Sequence, residues 1–569
     1  MIISTSPAAG VRRELTFRAV LVSLVVAALM SASYPYIVLK LGYGPNISVV
    51  SAFFGFIILI GVGGTRWEIN LVQTAGTAAA LGPAFMCVVL AALDMLNARP
   101  ELGFSVHLTV WQTFWWLSIA GLIGVLMAVP LRRHYIDEEQ LTFADGLAAG
   151  EALLVLDQGP KQAGPRVASL GVGVLASALL TLVRDKFKWV PDTLFFGAHG
   201  QTLRMGTEIS LLSFGGGMLV GPRISLSMGL GMLLSWVIAP PMLAARGIVA
   251  DESFAAVLRW VMWPATGFMV AGGVTSLLLK WRLIVKTFKN LSGAQIDSTD
   301  FPIRWVVIGT VGLSVALCIL QKFSLGFPIW LTVVSLILSS FLMLVGTRVL
   351  GETNWAPVSA LANLMQAVFA MLSPGSMTVN MIGSGMSGSV AGNGEQLMQC
   401  YKTGKMVGSN NRHLTIMQLV SVPIGAMAVA LVYPALKLRY GIGGNGLTSP
   451  ISVKWAGFAE VLNQGFNQLP HGCFTAMLIA VAAGAIISVL ESTMEPRWAD
   501  LLPSPTAVGI GMLIPGATML PMVAGGIFQW AWAKTHPKSE EVYALPGASG
   551  LIAGEALVVL VFAIQAMIA

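Results

Sequence analysis

The chain has 569 residues, 56% of them hydrophobic and 10% charged, against about 25% charged in an ordinary soluble domain. That balance excludes a soluble globular protein and implies an all-α integral membrane protein, because a span takes roughly 20 apolar residues and about 16 such segments fill nearly the whole length. The net charge of +7 comes from Lys and Arg set between apolar runs rather than clustered in a basic patch, so it reads as positive-inside bias and lipid anchoring, and nucleic acid is excluded.

Arg12 and Arg13 precede an apolar run from Phe17 to Leu41 that is too long for a signal-peptide core. It predicts a retained first span with the N-terminus in the cytoplasm, in a multi-pass protein of the cell (inner, cytoplasmic) membrane. Further spans start near Asn46, Ile69 and His107, and the last of these ends at the polar loop LRRHYIDEEQ. The segment LTFADGLAAGEALLVLDQ, residues 141–158, is marginal as a span and carries Asp145, Gly146, Gly150 and Glu151, so it is expected to be broken or re-entrant. Spans starting near Arg166, Glu208, Ser225 and Ala256 follow. Residues 281–302 then form the most polar connection in the chain.

Beyond that connection the pattern begins again. Gly63-x-Thr65-x-Trp67 recurs as Gly351-x-Thr353-x-Trp355, and Asn70-Leu-Val-Gln73 as Asn363-Leu-Met-Gln366. Gly229-Leu-Gly-Met-Leu recurs as Gly509-Ile-Gly-Met-Leu, and the region from Ala265 to Gly272 resembles that from Ala548 to Gly554. The offsets, 280 to 293 residues, keep one order and predict a duplication: an N-terminal transmembrane repeat over 1–290 and a C-terminal one over 291–569. About eight spans per half, an even number, would orient the halves alike in the membrane.

The second half holds the most unusual stretch, Gly351 to Gly404. It is apolar yet punctuated by Pro374-Gly375, by Gly383, Gly385, Gly388, Gly392 and Gly394, and by Asn380, Asn393, Glu352 and Glu395. Interrupted segments expose backbone groups that need protein or a wet cavity, and they tend to line a solute path. Three segments share G-x-x-A-G closely followed by an acid: Gly146 to Gly150 with Glu151, Gly388 to Gly392 with Glu395, and Gly550 to Gly554 with Glu555. Small residues four apart favour close helix packing, whereas an acid in the membrane costs about 2.5–3.5 kcal/mol and needs a proton, a cation or water. Glu151, Glu395 and Glu555 are therefore candidates for proton coupling or solute contact, with Asp145 beside the first. A structural hydrogen bond is the competing reading, and Glu352 and Glu68 lie nearer span ends, where capping suffices. Asn70, Gln73, Asn363, Gln366, Asn380 and Asn393 offer donors and acceptors together, which suits peptide-like ligands and equally suits helix ties.

Other motifs carry little. Gly441 to Gly446 fits G-x-G-x-x-G without a strand before it, and no phosphate-loop signature is present. Ser387 in a glycine-rich helix could suggest an intramembrane protease with His413 or His471 as base, but packing is the ordinary role of such a serine. Neither the four cysteines nor the six histidines are spaced as ligands, so no metal site and no cofactor are expected.

Taken together, ELTFRAVLVSL, KLGYGPNIS, NLVQTAGTAAA, LTFADGLAAGEAL, GETNWAPVSALANLMQAVFAMLSPGSMTVNMIGSG, LMQCYKTGKMVG, LPSPTAVGIGMLIPGATMLPM and GASGLIAGEAL resemble the oligopeptide transporter superfamily, in a bacterial-type member. Its branches carry short peptides or metal chelates of the yellow-stripe type. The resemblance implies about sixteen spans and a proton-driven solute carrier. The family's Asp and Asn-Pro after Gly-Glu-Thr are replaced here by Asn354, Trp355, Ala356 and Pro357, with Ser359 where Gly is common.

The sequence thus predicts a proton-coupled secondary transporter, not an enzyme, moving short peptides or metal chelates by alternating access. Its site would lie where residues 141–158, 351–404 and the terminal G-x-x-A-G helix meet. The alternatives are a passive channel for a small polar solute and an intramembrane enzyme. Expected partners are the small-molecule solute, protons and membrane lipids, with self-association into a homo-oligomer admitted.

Overall fold

The computed structural model describes residues 14–41, 47–60, 62–162, 164–249, 251–279, 300–356, 358–442, 447, 449–463, 470–499 and 501–568. Arg12, Arg13 and all but the last three residues of the polar connection 281–302 lie outside them. The chain begins with α1 (Phe17–Leu41), α2 (Ser48–Ile60), α3 (Arg66–Asn97), α4 (Val110–Ala128), α5 (Ala144–Gln162) and α6 (Gly164–Thr181). A small antiparallel hairpin follows, β1 (Thr193–Phe195) and β2 (Gly206–Glu208), enclosing α7 (Gly197–Leu203) and pairing Leu194 with Thr207. Next come α8 (Leu211–Val220), α9 (Pro222–Leu233), α10 (Ala239–Ala245), α11 (Phe254–Leu279), α12 (Ile303–Leu325), α13 (Ile329–Thr353), α14 (Val358–Leu372) and α15 (Met377–Val407). The remainder is α16 (Asn411–Tyr440), α17 (Pro450–Asn463), α18 (Cys473–Thr493), α19 (Pro496–Ala499), α20 (Pro505–Leu513), α21 (Gly516–Thr535) and α22 (Pro537–Ile568).

Among the described residues, 11 helical stretches are long and apolar enough to cross a membrane, and three shorter ones are also apolar. The protein is an all-α membrane protein. The rest of the length expected as spans falls in helices that are short, such as α2 and α8, or polar, such as α15. Helices α6, α12 and α18 turn most of their apolar side chains outward, as lipid-facing helices must.

Helix α15 is the axis of the fold. It spans 31 residues, is buried along nearly its whole length, and packs against α3, α4, α5, α13, α14, α16 and α17. The sequence reading expected interruptions throughout 351–404. The breaks instead fall at Asn354, where φ is +61°, and at Ser373–Ser376, where Gly375 has φ +76°. Between Met377 and Val407 the helix is continuous, so Gly383, Gly385, Gly388, Gly392 and Gly394 do not break it. A ladder buried inside a bundle keeps its hydrogen bonds without water, and a missing Cβ then serves close approach. A Cβ on Gly385 would sit 3.0 Å from Val89 Cγ1, and one on Gly383 2.7 Å from the Phe369 ring. From the other side, Gly124 of α4 lies directly against the Val390 carbonyl. From Ala144 on, the 141–158 segment is likewise a single helix, α5, through Gly146 and Gly150.

A second close approach joins α9 to α20. A Cβ on Gly231 would collide with the Val508 carbonyl, and one on Gly511 with the Met228 carbonyl. Gly231 and Gly511 are 280 residues apart, as are Met228 and Val508, so the two contacts are the same contact made twice with the helices exchanged.

Candidate functional site

The N-terminus of α5 is stitched to the second half of the chain. Phe143 N–H donates to the Gly351 carbonyl at 2.9 Å, Asp145 N–H to Asn354 Oδ1 at 3.0 Å, and Gly146 N–H to Gln399 Oε1 at 2.7 Å. Asn354 Nδ2 returns a bond to Asp145 Oδ1 at 2.5 Å, and Thr403 Oγ1 donates to the Gly146 carbonyl at 2.9 Å. The first N–H groups of a helix have no partner inside it, and here Asn354 and Gln399 supply them. The left-handed turn at Asn354 aims its amide at α5, which gives a structural role to a position where the chain departs from the family wording. On its far side α5 packs its Ala148, Ala149 and Ala152 against Ile552 and Ala553 of α22. The three G-x-x-A-G helices thus lie in a row, with α5 in the middle, while the glycines of α22 seat on α6: a Cβ on Gly550 would run into the Leu170 carbonyl.

The three acids of those motifs meet different surroundings. Glu555 is fully paired: Arg184 Nη1 lies 2.9 Å from Oε1, while Ser210 Oγ and Leu212 N–H donate to Oε2 at 3.1 and 2.9 Å. Glu151 is 4% exposed and its Oε1 has no hydrogen-bond partner. Glu395 is fully buried, and neither carboxyl oxygen has a partner. Its Oε1 is wedged against Gly346 of α13, close enough that a Cβ there would collide with it, and Leu361 of α14 lies beside the same glycine.

Glu352 belongs to a network missed by the sequence reading. Arg348, one turn earlier on α13, reaches Glu352 Oε1 at 2.9 Å and Glu139 Oε2 at 2.5 Å. Glu352 Oε2 accepts from Ser504 Oγ at 2.8 Å and Thr506 Oγ1 at 2.5 Å, at the start of α20, and Ser504 N–H donates to Ser227 Oγ of α9 at 3.0 Å. The i, i+4 spacing of Arg348 and Glu352 inside an apolar helix was the legible signal. Glu68, by contrast, closes a capping box with Thr65 and pairs with Arg18 at 2.8 Å.

The amides divide as well. Asn70 Nδ2 donates to Ser409 Oγ at 2.8 Å, and Gln73 Nε2 to Thr77 Oγ1 at 3.2 Å. Asn393 Nδ2 donates to the Ser389 carbonyl at 2.8 Å, and its side chain fills the space left by Gly82 and Gly121. Asn380 Nδ2 donates to the Gln366 carbonyl at 2.9 Å. Asn363 is fully buried with both side-chain polar atoms unpartnered, and Gln366 Oε1 and Asn380 Oδ1 have no partner either. The eleven candidates therefore form no single pocket. Atoms without partners lie on α13 (Thr347 Oγ1), α14 (Asn363, Gln366 Oε1) and α15 (Asn380 Oδ1, Asn393 Oδ1 and both oxygens of Glu395), and also on α3 (Asn70 Oδ1) and α5 (Glu151 Oε1).

Ser387 donates to the Gly383 carbonyl at 3.0 Å and is buried, while His413 meets Glu14 at 2.9 Å and His471 is exposed, so neither histidine is brought to that serine. Among the described residues no group of three or more His, Cys, Asp or Glu side chains could hold a metal ion.

Because Arg184 pairs with Glu555 in the interior, Glu555→Gln is expected to lower stability by roughly 1.5–3 kcal/mol, the worth of a hydrogen bond to a charged group. Thermal unfolding of the variant beside the wild type checks this expectation.

Comparison with known proteins agrees with the architecture. The model of the family described as "OPT oligopeptide transporter protein" matches residues 14–566. A protein of Oryza sativa subsp. japonica named "Probable metal-nicotianamine transporter YSL14" is 23% identical over 96% of this chain and 85% of its own length. A Haemophilus influenzae protein named "Putative oligopeptide transporter" is 24% identical over 88% of each chain. In Saccharomyces cerevisiae, the similarly named YGL114W is 21% identical over 96% of this chain and 95% of its own. Matched from end to end by the family model and built of apolar helices around α15, the chain belongs to the OPT oligopeptide transporter family and is a multi-pass membrane transporter, not an enzyme.

Proposed function

We propose that the protein is a secondary transporter that moves short peptides or peptide-like metal chelates by alternating access, coupled to protons through Glu395. The observation that carries this reading is the isolation of that carboxyl on the central helix: fully buried, with both oxygens unpartnered. An ionised carboxylate there would lack a counter-ion and a protein donor, which the membrane interior penalises heavily. The neutral acid suits the closed seam of α13, α14 and α15, and the anion suits a state in which α13 or α14 has moved away and water reaches it. Binding and release of a proton are thereby tied to opening of that seam. The names of the relatives support the two solute classes, peptide and metal chelate; a metal would then travel as part of the cargo.

The halves 1–290 and 291–569 are the two copies of the proposed repeat. The exchanged contact between Gly231 and Val508 and between Gly511 and Met228 supports a two-fold relation between them.

The test is reconstitution in liposomes with a pH gradient, acid on the side of solute addition. Uptake of a labelled tripeptide or an iron chelate is expected to saturate, to exceed equilibrium, and to fall to equilibrium with a protonophore. Flux that neither saturates nor responds to the protonophore would establish the passive channel instead.

A further inference from the structure

We infer that residues 139–146 are a strap that closes the transport path at the Lys- and Arg-rich end of the bundle, and that the protein opens at that end by releasing it. This rests on the transport reading above and names the element that moves.

The strap joins the helical turn Arg133–Glu138 to α5 and has no helix of its own before Ala144. A connection between helices ordinarily runs over the surface, where water satisfies its backbone. Beyond Gln140 this one turns inward: Phe143 and Ala144 are fully buried. Its backbone is bent to do so, with φ of +53° at Gln140 and +44° at Phe143, a left-handed conformation that side chains of their size disfavour. Residues in such conformations are held there by their surroundings, and they gather at switch regions.

What holds the strap is a set of separate polar contacts to the ends of α13 and α15. On the α13 side, the Glu139 carboxylate meets Arg348, Phe143 N–H donates to the Gly351 carbonyl, and Asp145 N–H donates to Asn354. On the α15 side, Lys402 Nζ donates to the Leu141 carbonyl at 2.6 Å, Gly146 N–H donates to Gln399, and the Gly146 carbonyl accepts from Thr403. Water entering at an open end can take over each of these bonds, so release strands no polar group.

The strap also sits where a barrier is needed. Gly346 of α13 lies against Glu395 of α15, and the anchors Gly351 and Gln399 follow about one turn further along the same two helices. The strap thus ties α13 to α15 just beyond the carboxyl, which is fully buried while the tie is made. Arg132, Arg133, Lys402, Lys405 and Arg412 stand at this end, and by the positive-inside rule it faces the cytoplasm.

The test locks the strap. A Cβ on Gly351 would stand 3.0 Å from Leu141 Cβ, near the roughly 3.5–4.5 Å that separates the Cβ atoms of a disulfide. Leu141→Cys/Gly351→Cys is reconstituted and oxidised, the bond is verified by mass spectrometry, and oxidised wild type controls for the four native cysteines. Counterflow of labelled trialanine or of an iron chelate is expected to fall by about tenfold or more on oxidation, because a carrier that cannot open on one side cannot exchange, and to return with dithiothreitol. An oxidised protein that exchanges solute as fast as its reduced form overturns the inference. Hydrogen–deuterium exchange of the wild type in nanodiscs gives a second reading should the variant fail to fold or to close its bond. An empty carrier has to open in order to return, so the amides of residues 141–146 are expected to exchange about tenfold faster than those of residues 381–398 in α15. Equal protection would make the strap a fixed wall and overturn the inference. A wild type that moves neither solute fails at the transport reading, whereas one that moves solute past a locked strap keeps that reading and removes the strap alone.

Discussion

Glu395→Gln is expected to abolish proton-driven accumulation and to spare exchange of solute across the membrane. The two side chains are of one shape, and the space beside Gly346 that admits a carboxyl end admits an amide. No partner is lost, because neither oxygen of Glu395 has one. The variant should therefore fold and unfold like the wild type, or resist heat slightly better. What it loses is the ability to alternate between a neutral and a charged form. A gradient of one pH unit is worth about 1.4 kcal/mol per proton, so a wild-type carrier taking one proton per neutral solute can concentrate it up to about tenfold, and the variant should stop at equality. Steady-state accumulation and counterflow, measured on one batch of liposomes, separate coupling from movement. Undiminished accumulation by the glutamine variant would remove Glu395 from the mechanism and direct attention to Glu151, the other acid of the set with an unpartnered oxygen.

The second large effect is on stability. Arg348→Met should destabilise the protein by roughly 3–5 kcal/mol, because Glu139 and Glu352 would be left in the interior without their common cation. The hydroxyls of Ser504 and Thr506 still bond Glu352 but cannot balance its charge. Neutralising both acids, in Arg348→Met/Glu139→Gln/Glu352→Gln, should recover most of the loss. Detergent-solubilised protein heated to its unfolding midpoint gives the comparison. Equal midpoints for Arg348→Met and wild type would mean that water reaches the cluster.

The membrane class, the helical fold and the placing of three acids beside G-x-x-A-G helices were legible in the sequence because each depends on local composition. What the acids do was not, because their partners come from elsewhere. Glu555 is neutralised by a residue 371 positions away, and Glu395 by nothing, yet the two motifs read alike. Glycine misled in a related manner. In a chain considered alone, Gly383 to Gly394 look like helix breakers, but enclosed by neighbouring helices the ladder persists and the glycines become contact points. The helix stops instead at the left-handed turn of Asn354 and where Pro374 removes a donor and Gly375 takes a left-handed turn. Asn354 could be noted as a departure from the family wording, whereas its service as a cap for α5 needed the two helices side by side.

The paired approach of α9 and α20 bears on where such a chain came from. A face that meets its own copy, each carbonyl set against the other's glycine, is the face of a symmetric dimer. On the duplication proposed above, an ancestor of half the present length would have met a second copy of itself at this face before fusion made the contact internal. Fusion would also have released the two copies to drift apart. Gly231 and Gly511 stayed alike, because each is held by the backbone opposite it rather than by a side chain that could change in step.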